Sequence, residues 1–252
     1  MNRRRRLDAE LVRRGLAESR ALAFEAVDAK RVLVNGAIAD KPSRQVNPAD
    51  AIVIEGPPPR FVSRGGEKLD AALEHFGIGV VGLRILDAGA STGGFTDCLL
   101  QRGAEAVSAV DVGHGQLHPR IRNDQRVLVL ERYNVRQLHA DDIGGPVDAV
   151  VADLSFISLR RVIGALVKAC KAGASMVLLV KPQFEAGRQE VSKGKGIITD
   201  PTIHERVCAE IEDALRANGC TVVGWTDSPL TGADGNREFL VHATAPQEVS
   251  LP

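Results

Sequence analysis

Rings are scarce in this chain: seven Phe, one Tyr and one Trp amount to 4% of its 252 residues. Such a composition offers little for stacking a run of nucleobases, so extensive base stacking is not expected. Long apolar runs are missing too. The longest, Met176-Val177-Leu178-Leu179-Val180, is stopped by Lys181 and Pro182, far short of the roughly 20 residues that cross a bilayer as a helix. Neither a membrane partner nor a membrane-lytic activity is therefore expected. The basic stretch Arg3-Arg4-Arg5-Arg6 runs into Leu7-Asp8-Ala9-Glu10 and not into an apolar segment. It does not read as a secretory signal, and the expected location is the cytoplasm. Four cysteines, Cys98, Cys170, Cys208 and Cys220, stand apart without a C-x-x-C pair. That argues against a disulfide framework and against a zinc site, and buried thiols are expected.

What is present fits a globular protein: 44% hydrophobic and 25% charged residues, with a mean hydropathy of -0.05. At 26.9 kDa there is length for a large domain and a small companion, and a monomer is expected. Thirty-two basic residues balance thirty-two acidic ones, but unevenly. Residues 1–60 hold twelve Lys and Arg against eight Asp and Glu, whereas 61–252 hold twenty against twenty-four. A small basic segment on a mildly acidic body implies a polyanion-binding appendage.

Gly56-Pro57-Pro58-Pro59 cannot continue a helix or a central strand, because three prolines fix φ and remove three N–H donors. It marks a boundary, with residues 1–59 as one domain, 60–66 as a linker and 67–252 as another domain. Before it, residues 5–14 read as a helix closed by Gly15, and Ser19 caps a second over 20–29. Val32-Leu33-Val34 is a strand entering the hairpin signal Asn35-Gly36; Ile38 lies on the returning strand and Ile52-Val53-Ile54 on a further one. After the boundary, strands at 84–86, 106–110, 127–130, 147–151 and 176–180 alternate with helical stretches at 95–102, 159–170 and 201–218. The alternation predicts an α/β, Rossmann-like body with a doubly wound, mostly parallel sheet. Residues 221–225 and 238–244, with no helical pattern between them, add an antiparallel pair at one side. The N-terminal part reads as a small α+β domain.

The first strand of the body runs into Asp87-Ala88-Gly89-Ala90-Ser91-Thr92-Gly93-Gly94-Phe95, where glycines let backbone approach a ligand before a helix opens. A dinucleotide site would read G-x-G-x-x-G; here the spacing is G-x-x-x-G-G and an Asp stands ahead of it. A carboxylate at Asp87 repels a pyrophosphate. It suits a ligand with an ammonium tail and a positive sulfur, S-adenosylmethionine. Asp111 ends the second strand, where an acidic side chain accepts the ribose hydroxyls, and Asn134, past the third strand, is a candidate partner for the adenine. Ligands of such sheets bind outside the carboxyl ends of the strands. Asp153 and Lys181 follow two more strand ends and Glu238 opens the last strand, so charged groups converge on one edge.

On these residues the chain resembles a known family. Ser63-Arg64-Gly65-Gly66-Glu67-Lys68-Leu69, the loop from Leu86 through Phe95, Ala152-Asp153-Leu154-Ser155-Phe156-Ile157-Ser158 and Val180-Lys181-Pro182-Gln183-Phe184-Glu185 are similar, in order, to the TlyA, or hemolysin A, family of rRNA cytidine-2′-O methyltransferases. The first 60 residues resemble the S4-type RNA-binding module. The resemblance implies a 2′-O-ribose methyltransferase body with a Lys-Asp-Lys-Glu tetrad at Lys68, Asp153, Lys181 and Glu238, the last resting on the shortest motif, Gly235-Asn236-Arg237-Glu238-Phe239. It also implies ribosomal RNA or ribosomal subunits as partner and cytidine as target.

A ribose hydroxyl is a poor nucleophile at neutral pH, so the transfer requires a base beside the oxygen and an in-line approach to the methyl carbon. Lys181 is the candidate base: desolvation and a second ammonium, Lys68, are expected to lower its pKa from about 10.4 toward working pH. Asp153 would hold Lys181 in place, and Glu238 would orient Lys68 or the ribose. No metal is required, since the sulfonium is already an activated leaving group. Arg3, Arg4, Arg5, Arg6, Arg13, Arg14, Arg20, Lys30 and Arg31 are expected to neutralise phosphates. Phe184 or Tyr133 is a candidate to hold a flipped nucleotide. Residues 188–196 read as a loop able to close over bound RNA. Other readings stay open at this point: an rRNA-binding assembly protein that does no chemistry, and a methyltransferase acting on a small molecule.

Overall fold

The computed structural model describes residues 4–17, 19–57, 59–232 and 234–247. The chain divides into two compact units, Met1–Arg60 and Phe61–Pro252.

In the first unit, β1 (Arg5–Arg6) leads into α1 (Leu7–Arg13), followed by α2 (Arg20–Asp28), β2 (Val32–Val34), β3 (Ala37–Ile38), β4 (Gln45–Val46) and β5 (Ile52–Ile54). The Ser19 hydroxyl accepts the Leu22 N–H at 3.2 Å and so starts α2. Asn35 (φ +53°) and Gly36 (φ +78°) make the tight turn between β2 and β3. β3, β2 and β5 form an antiparallel sheet in that order, and β1 pairs with β4. Leu7, Leu11, Val27, Val32, Val34, Val46 and Ile52 share one core. The helix expected over 5–14 is shorter at its start, because Arg5 and Arg6 are drawn into the ladder with Val46 and Gln45. Arg14, expected at the RNA, makes four hydrogen bonds within the unit. Its guanidinium donates to the carbonyls of Asp50 (2.7 Å), Pro48 (3.0 Å) and Asn47 (3.3 Å) and to Glu10 (2.8 Å).

The second unit opens with α3 (Gly65–His75) and continues through β6 (Arg84–Ala88), α4 (Gly94–Gln101), β7 (Ala106–Val110), α5 (Pro119–Arg122) and β8 (Val127–Leu130). Then come β9 (Val147–Ala152), α6 (Ile163–Lys168), β10 (Cys170–Val180), α7 (Pro182–Glu185), α8 (Arg188–Lys193), α9 (Pro201–Ala217), β11 (Thr221–Asp227) and β12 (Phe239–Thr244). Among the described residues seven strands form one sheet, ordered β11-β12-β10-β9-β6-β7-β8. The ladders β8–β7–β6–β9–β10 are parallel, and β12 is antiparallel to both of its neighbours. The final strand alone therefore runs against the others, as the hydrophobic pattern predicts. Alternate residues face opposite layers: Leu86, Val150, Met176 and Leu178 meet Leu166, Val207 and Ile211 on one side, while Ile85, Val107, Val151 and Leu179 meet Leu69, Leu73, Cys98 and Leu99 on the other.

Three expectations change. Residues 61–66 are not a free linker: Phe61 is 3% exposed, the Val62 N–H donates to Asp97 Oδ2 at 2.8 Å, and α3 begins at Gly65. The helix expected over 159–170 is a 3-10 turn followed by the short α6, because Cys170 already pairs with Val147 in the sheet. The loop expected over 188–196 contains α8, whose Glu190 accepts the Gly187 N–H at 2.9 Å and pairs with Arg206 at 2.7 Å. Of the cysteines, Cys98, Cys170 and Cys220 are buried and Cys208 is half-buried.

Arg14→Leu removes four hydrogen bonds at once, three of them partly buried, and charged hydrogen bonds of this kind contribute ~1.5–3 kcal/mol. Amide hydrogen exchange of residues 45–54 in the full chain is expected to report a loss of local stability of about 2 kcal/mol. Unchanged protection there would remove Arg14 from this role.

Candidate functional site

The strand order reverses at β6, which lies between β9 and β7. A crevice therefore opens at the carboxyl ends of β6 and β9. The loop after β6 passes beneath the segment after β9: a Cβ on Gly89 (φ +89°) would lie 2.4 Å from the Asp153 carbonyl oxygen. Only glycine permits that approach. The Asp153 N–H in turn donates to the Ala88 carbonyl at 3.0 Å. At the far end of the loop, a Cβ on Gly94 would lie 2.2 Å from Ser63 Oγ and 2.8 Å from Gly66 N. The lack of a side chain seats the start of α4 against residues 63–66.

These approaches enclose a cleft of about 310 Å³. Gly89, Ala90, Ser91, Thr92, Gly94 and Phe95 form its floor; Lys68, Asp153, Lys181 and Glu238 line it too, with Ser63, Arg64 and Gly232. Gly93 (φ +96°) is buried beneath the loop and does not line the cleft. The four charged groups form two pairs. Lys68 Nζ lies 2.5 Å from Glu238 Oε2, with the side chains 10% and 2% exposed. Lys181 Nζ lies 2.5 Å from Asp153 Oδ1 and donates to Ser155 Oγ at 2.9 Å. Each lysine thus meets its own carboxylate, and Lys68 is not a bare second ammonium beside Lys181.

Asp87 is fully buried and does not line the cleft. Thr96 Oγ1 donates to its Oδ2 at 2.6 Å, and its Oδ1 has no hydrogen-bond partner among the described residues. Burial pushes the Asp87 carboxyl up to about 7; Thr96 opposes that rise, and Asp153 and Asp111 add to it. Asp111 accepts the N–H groups of Ser91 (2.8 Å) and Gly113 (2.6 Å), and beside it a small recess is lined by Gln116, Leu117 and Glu131. Glu131 was absent from the sequence reading, although it directly follows β8. Burial opposes its ionisation, but Arg122, the Gly115 N–H and His114 hold it below the usual carboxylate range. Asn134 is exposed, caps a 3-10 turn through the Arg136 N–H (3.1 Å) and lines neither recess.

The segment after Asp153 brings an exposed ring beside Phe184, an expected holder of a flipped nucleotide. Phe156 is 92% exposed and has φ +64°, a strained conformation for a bulky residue. Its ring centroid lies 5.3 Å from that of Phe184, which sits 6.0 Å from Lys181 Nζ. Glu185, 5% exposed, anchors the far end of the segment by accepting Ser158 Oγ (2.5 Å) and the Leu159 N–H (2.7 Å). Tyr133 is tied elsewhere, its hydroxyl donating to Asp142 at 2.6 Å, and it does not line the cleft.

Of the basic residues expected to meet phosphate, Arg3 lies outside the described residues. Arg4 reaches Asn47 Oδ1 (3.3 Å), Arg5 and Lys30 are exposed, and Arg31 donates to the carbonyls of Glu55 and Gly56 (2.9 and 2.7 Å). Arg13 pairs with Glu10 (2.6 Å), and Arg6 and Arg20 both pair with Asp8 (2.9 Å each).

Residues 61–245 match the model of the FtsJ-like methyltransferase family, and residues 5–52 match that of the S4 domain. The chain is 50% identical over 242 residues to the 16S/23S rRNA (cytidine-2′-O)-methyltransferase TlyA of Mycobacterium tuberculosis, covering 96% of this chain and 90% of that one. It is 41% identical to Hemolysin A of Brachyspira hyodysenteriae, covering 94% and 98%. A solved structure from Streptococcus thermophilus that carries the hemolysin name superposes with a TM-score of 0.76 at 40% identity, covering 98% of this chain and 90% of that one. Among the described residues, no helix is long and apolar enough to cross a membrane.

Removing one member of a nearly buried ion pair strands the other charge, at a cost of ~3–5 kcal/mol when burial is complete. Because Lys68 opens onto a cleft, Glu238→Ala is expected to lower the urea-unfolding stability of this unit by about 2 kcal/mol. Lys68→Met combined with Glu238→Leu should recover most of that loss. A double variant as unstable as the single one would show that the pair itself holds the fold.

Proposed function

We propose that this chain, which belongs to the FtsJ-like methyltransferase family and carries an S4 domain ahead of the body, transfers a methyl group from S-adenosylmethionine to the 2′-hydroxyl of cytidine in ribosomal RNA. The observation that carries the reading is the pair of lysine–carboxylate contacts, Lys68–Glu238 and Lys181–Asp153, facing one cleft beside a glycine loop. The partner is 16S or 23S rRNA, free or within a ribosomal subunit, met by the protein as a monomer in the cytoplasm. The 1–59 segment acts as the RNA-binding domain and the remainder as the catalytic one.

The residues present fit the methyl donor. Asp87 Oδ1 is a buried carboxylate oxygen without a partner among the described residues, complementary to an ammonium. Backbone from Gly89 to Phe95 offers a cradle, and Asp111 is an acceptor for ribose hydroxyls. The donor supplies a methyl group on a positively charged sulfur, which needs no further activation.

The remaining work falls to the chain. Lys181, as the free amine, takes the proton of the 2′-hydroxyl as the oxygen attacks; Asp153 and Ser155 fix where its nitrogen stands. Lys68, held by Glu238, presents positive charge to the oxygen as negative charge develops on it. Arg64, exposed at the cleft, faces the flanking phosphate, and the open ring of Phe156 gives the target base a surface to stack on.

Ribose-methylation mapping of rRNA incubated with the protein tests the whole reading; it fails if no 2′-O-methylcytidine appears. Lys181→Ala is expected to lower transfer by a factor of about a thousand while calorimetry shows donor affinity within about twofold of the parent. Turnover at the parental rate would take the base role from Lys181.

Asp87 must be ionised to hold a cation, and its carboxyl titrates at about 7 before the ligand arrives. Donor affinity should therefore rise with pH and level off above that value, being about tenfold weaker one unit below it than one unit above. Binding at the lower pH should release a proton, visible as a dependence of the measured heat on the buffer. Asp87→Asn should bind more weakly and without this slope; a slope that persists in Asp87→Asn assigns the titration to another group.

A further inference from the structure

Removing a negative charge from an RNA-binding surface is ordinarily expected to strengthen binding. The first unit has an arrangement that points the other way. Asp8, the second residue of α1, is 4% exposed. Its carboxylate accepts four hydrogen bonds: Arg6 Nε (3.1 Å) and Nη2 (2.9 Å), Arg20 Nη2 (2.9 Å) and the Ala9 N–H (2.8 Å). Arg6 belongs to β1 and Arg20 opens α2, so guanidinium groups from two separate elements meet on one oxygen, Asp8 Oδ2. Their own side chains remain 48% and 61% exposed. The anion lies beneath and the two cations stand outward. Among the described residues neither Arg6 Nη1 nor Arg20 Nη1 has a hydrogen-bond partner, so both keep donors for a further acceptor.

We propose that Asp8 is a positioning residue for RNA, gathering Arg6 and Arg20 into one fork that receives a single backbone phosphate. The inference rests on the RNA-binding reading of this unit. Two long side chains free in solvent must each lose rotamer freedom when they close on a phosphate. Here that ordering is done on folding, by a carboxylate that Arg6 grips through two of its nitrogens, a geometry lysine cannot reproduce. Glu10 does not build a second fork of this kind. It holds Arg13, but its other partner, Arg14, is turned into the backbone carbonyls of residues 47, 48 and 50. The ligand is a phosphodiester, recognised by charge and fork geometry and not by base, so the site orients the RNA without reading its sequence.

The test is a double-mutant cycle on the full chain, with an unmodified 23S rRNA transcript as the probe and binding followed by anisotropy. Asp8→Asn raises the charge of the surface by one, yet it is expected to weaken binding about tenfold. In a chain already carrying Arg6→Gln and Arg20→Gln, the same Asp8→Asn change should leave affinity within about twofold, because nothing remains for Asp8 to position. Binding by Asp8→Asn that equals or exceeds the parent's overturns the inference. So does an equal loss in both backgrounds, which would reveal a merely structural contribution of Asp8 to the unit. A parent chain without affinity for this transcript or for an unmodified 16S one would defeat the RNA-binding reading itself, an outcome distinct from either of these.

Discussion

The near-contact of Gly89 with the Asp153 carbonyl is the constraint on which the rest of the site depends. It joins the loop after β6 to the segment after β9 across the place where the sheet order reverses. One of these loops lines the cleft, and the other starts with Asp153, whose carboxylate pairs with Lys181. If the backbones stood a side chain further apart, Asp153 could not lie beside the cradle and reach Lys181 at once. The hydrogen bond from Asp153 N–H to the Ala88 carbonyl continues the parallel ladder by one rung beyond the strands. The segment after β9 is therefore held by ordered backbone, which the proposed in-line transfer would require.

The two ion pairs answer a second physical demand. An amine in a half-closed cleft needs a carboxylate to hold its position, yet that same carboxylate favours the ammonium form. The structure gives each lysine its own carboxylate from a different element: Lys68 from α3 with Glu238 ahead of β12, and Lys181 after β10 with Asp153 after β9, so Lys181 must give up its proton against the pull of Asp153 before it can act as a base. Each pair also ties its elements together, so charge placement and fold stability are linked at this edge of the sheet. Surface ion pairs of the α8–α9 kind contribute little by comparison, because solvent screens them.

Much of this was legible in the amino-acid sequence, for identifiable reasons. The strands of the body are short apolar runs bounded by charge or glycine, so spacing alone located Asp87 near the end of one strand and Asp111, Asp153 and Lys181 just after three others, at one edge. The helix α3 was not legible. Gly65 and Gly66 signal a turn, and its apolar stripe of Leu69, Ala72 and Leu73 sits close to a proline-rich boundary that draws the linker too far into the body. Arg14 shows a second limit. Composition counts its charge, whereas only the folded chain reveals that its donors are taken by three carbonyls. Phe156 shows a third: nothing in the motif Leu154-Ser155-Phe156-Ile157 signals the positive φ and the exposure of its ring.

Every nucleotide of an RNA carries a 2′-hydroxyl, so chemistry at that group cannot by itself choose a target. The cleft is lined by two lysines and two carboxylates, none of which distinguishes one base from another. On the proposed reading the arginines of the first unit would meet phosphates, which carry no sequence. Rings for reading single-stranded bases are few, with Phe156 and Phe184 the pair that adjoins Lys181. Selection must therefore come from the three-dimensional form of the RNA: a phosphate track matched by the ordered arginines, and a single base that leaves its stack to meet an exposed ring. A preorganised cationic surface serves that purpose better than a flexible one, since side chains held in place reject backbones of the wrong spacing, whereas mobile ones adapt to all of them.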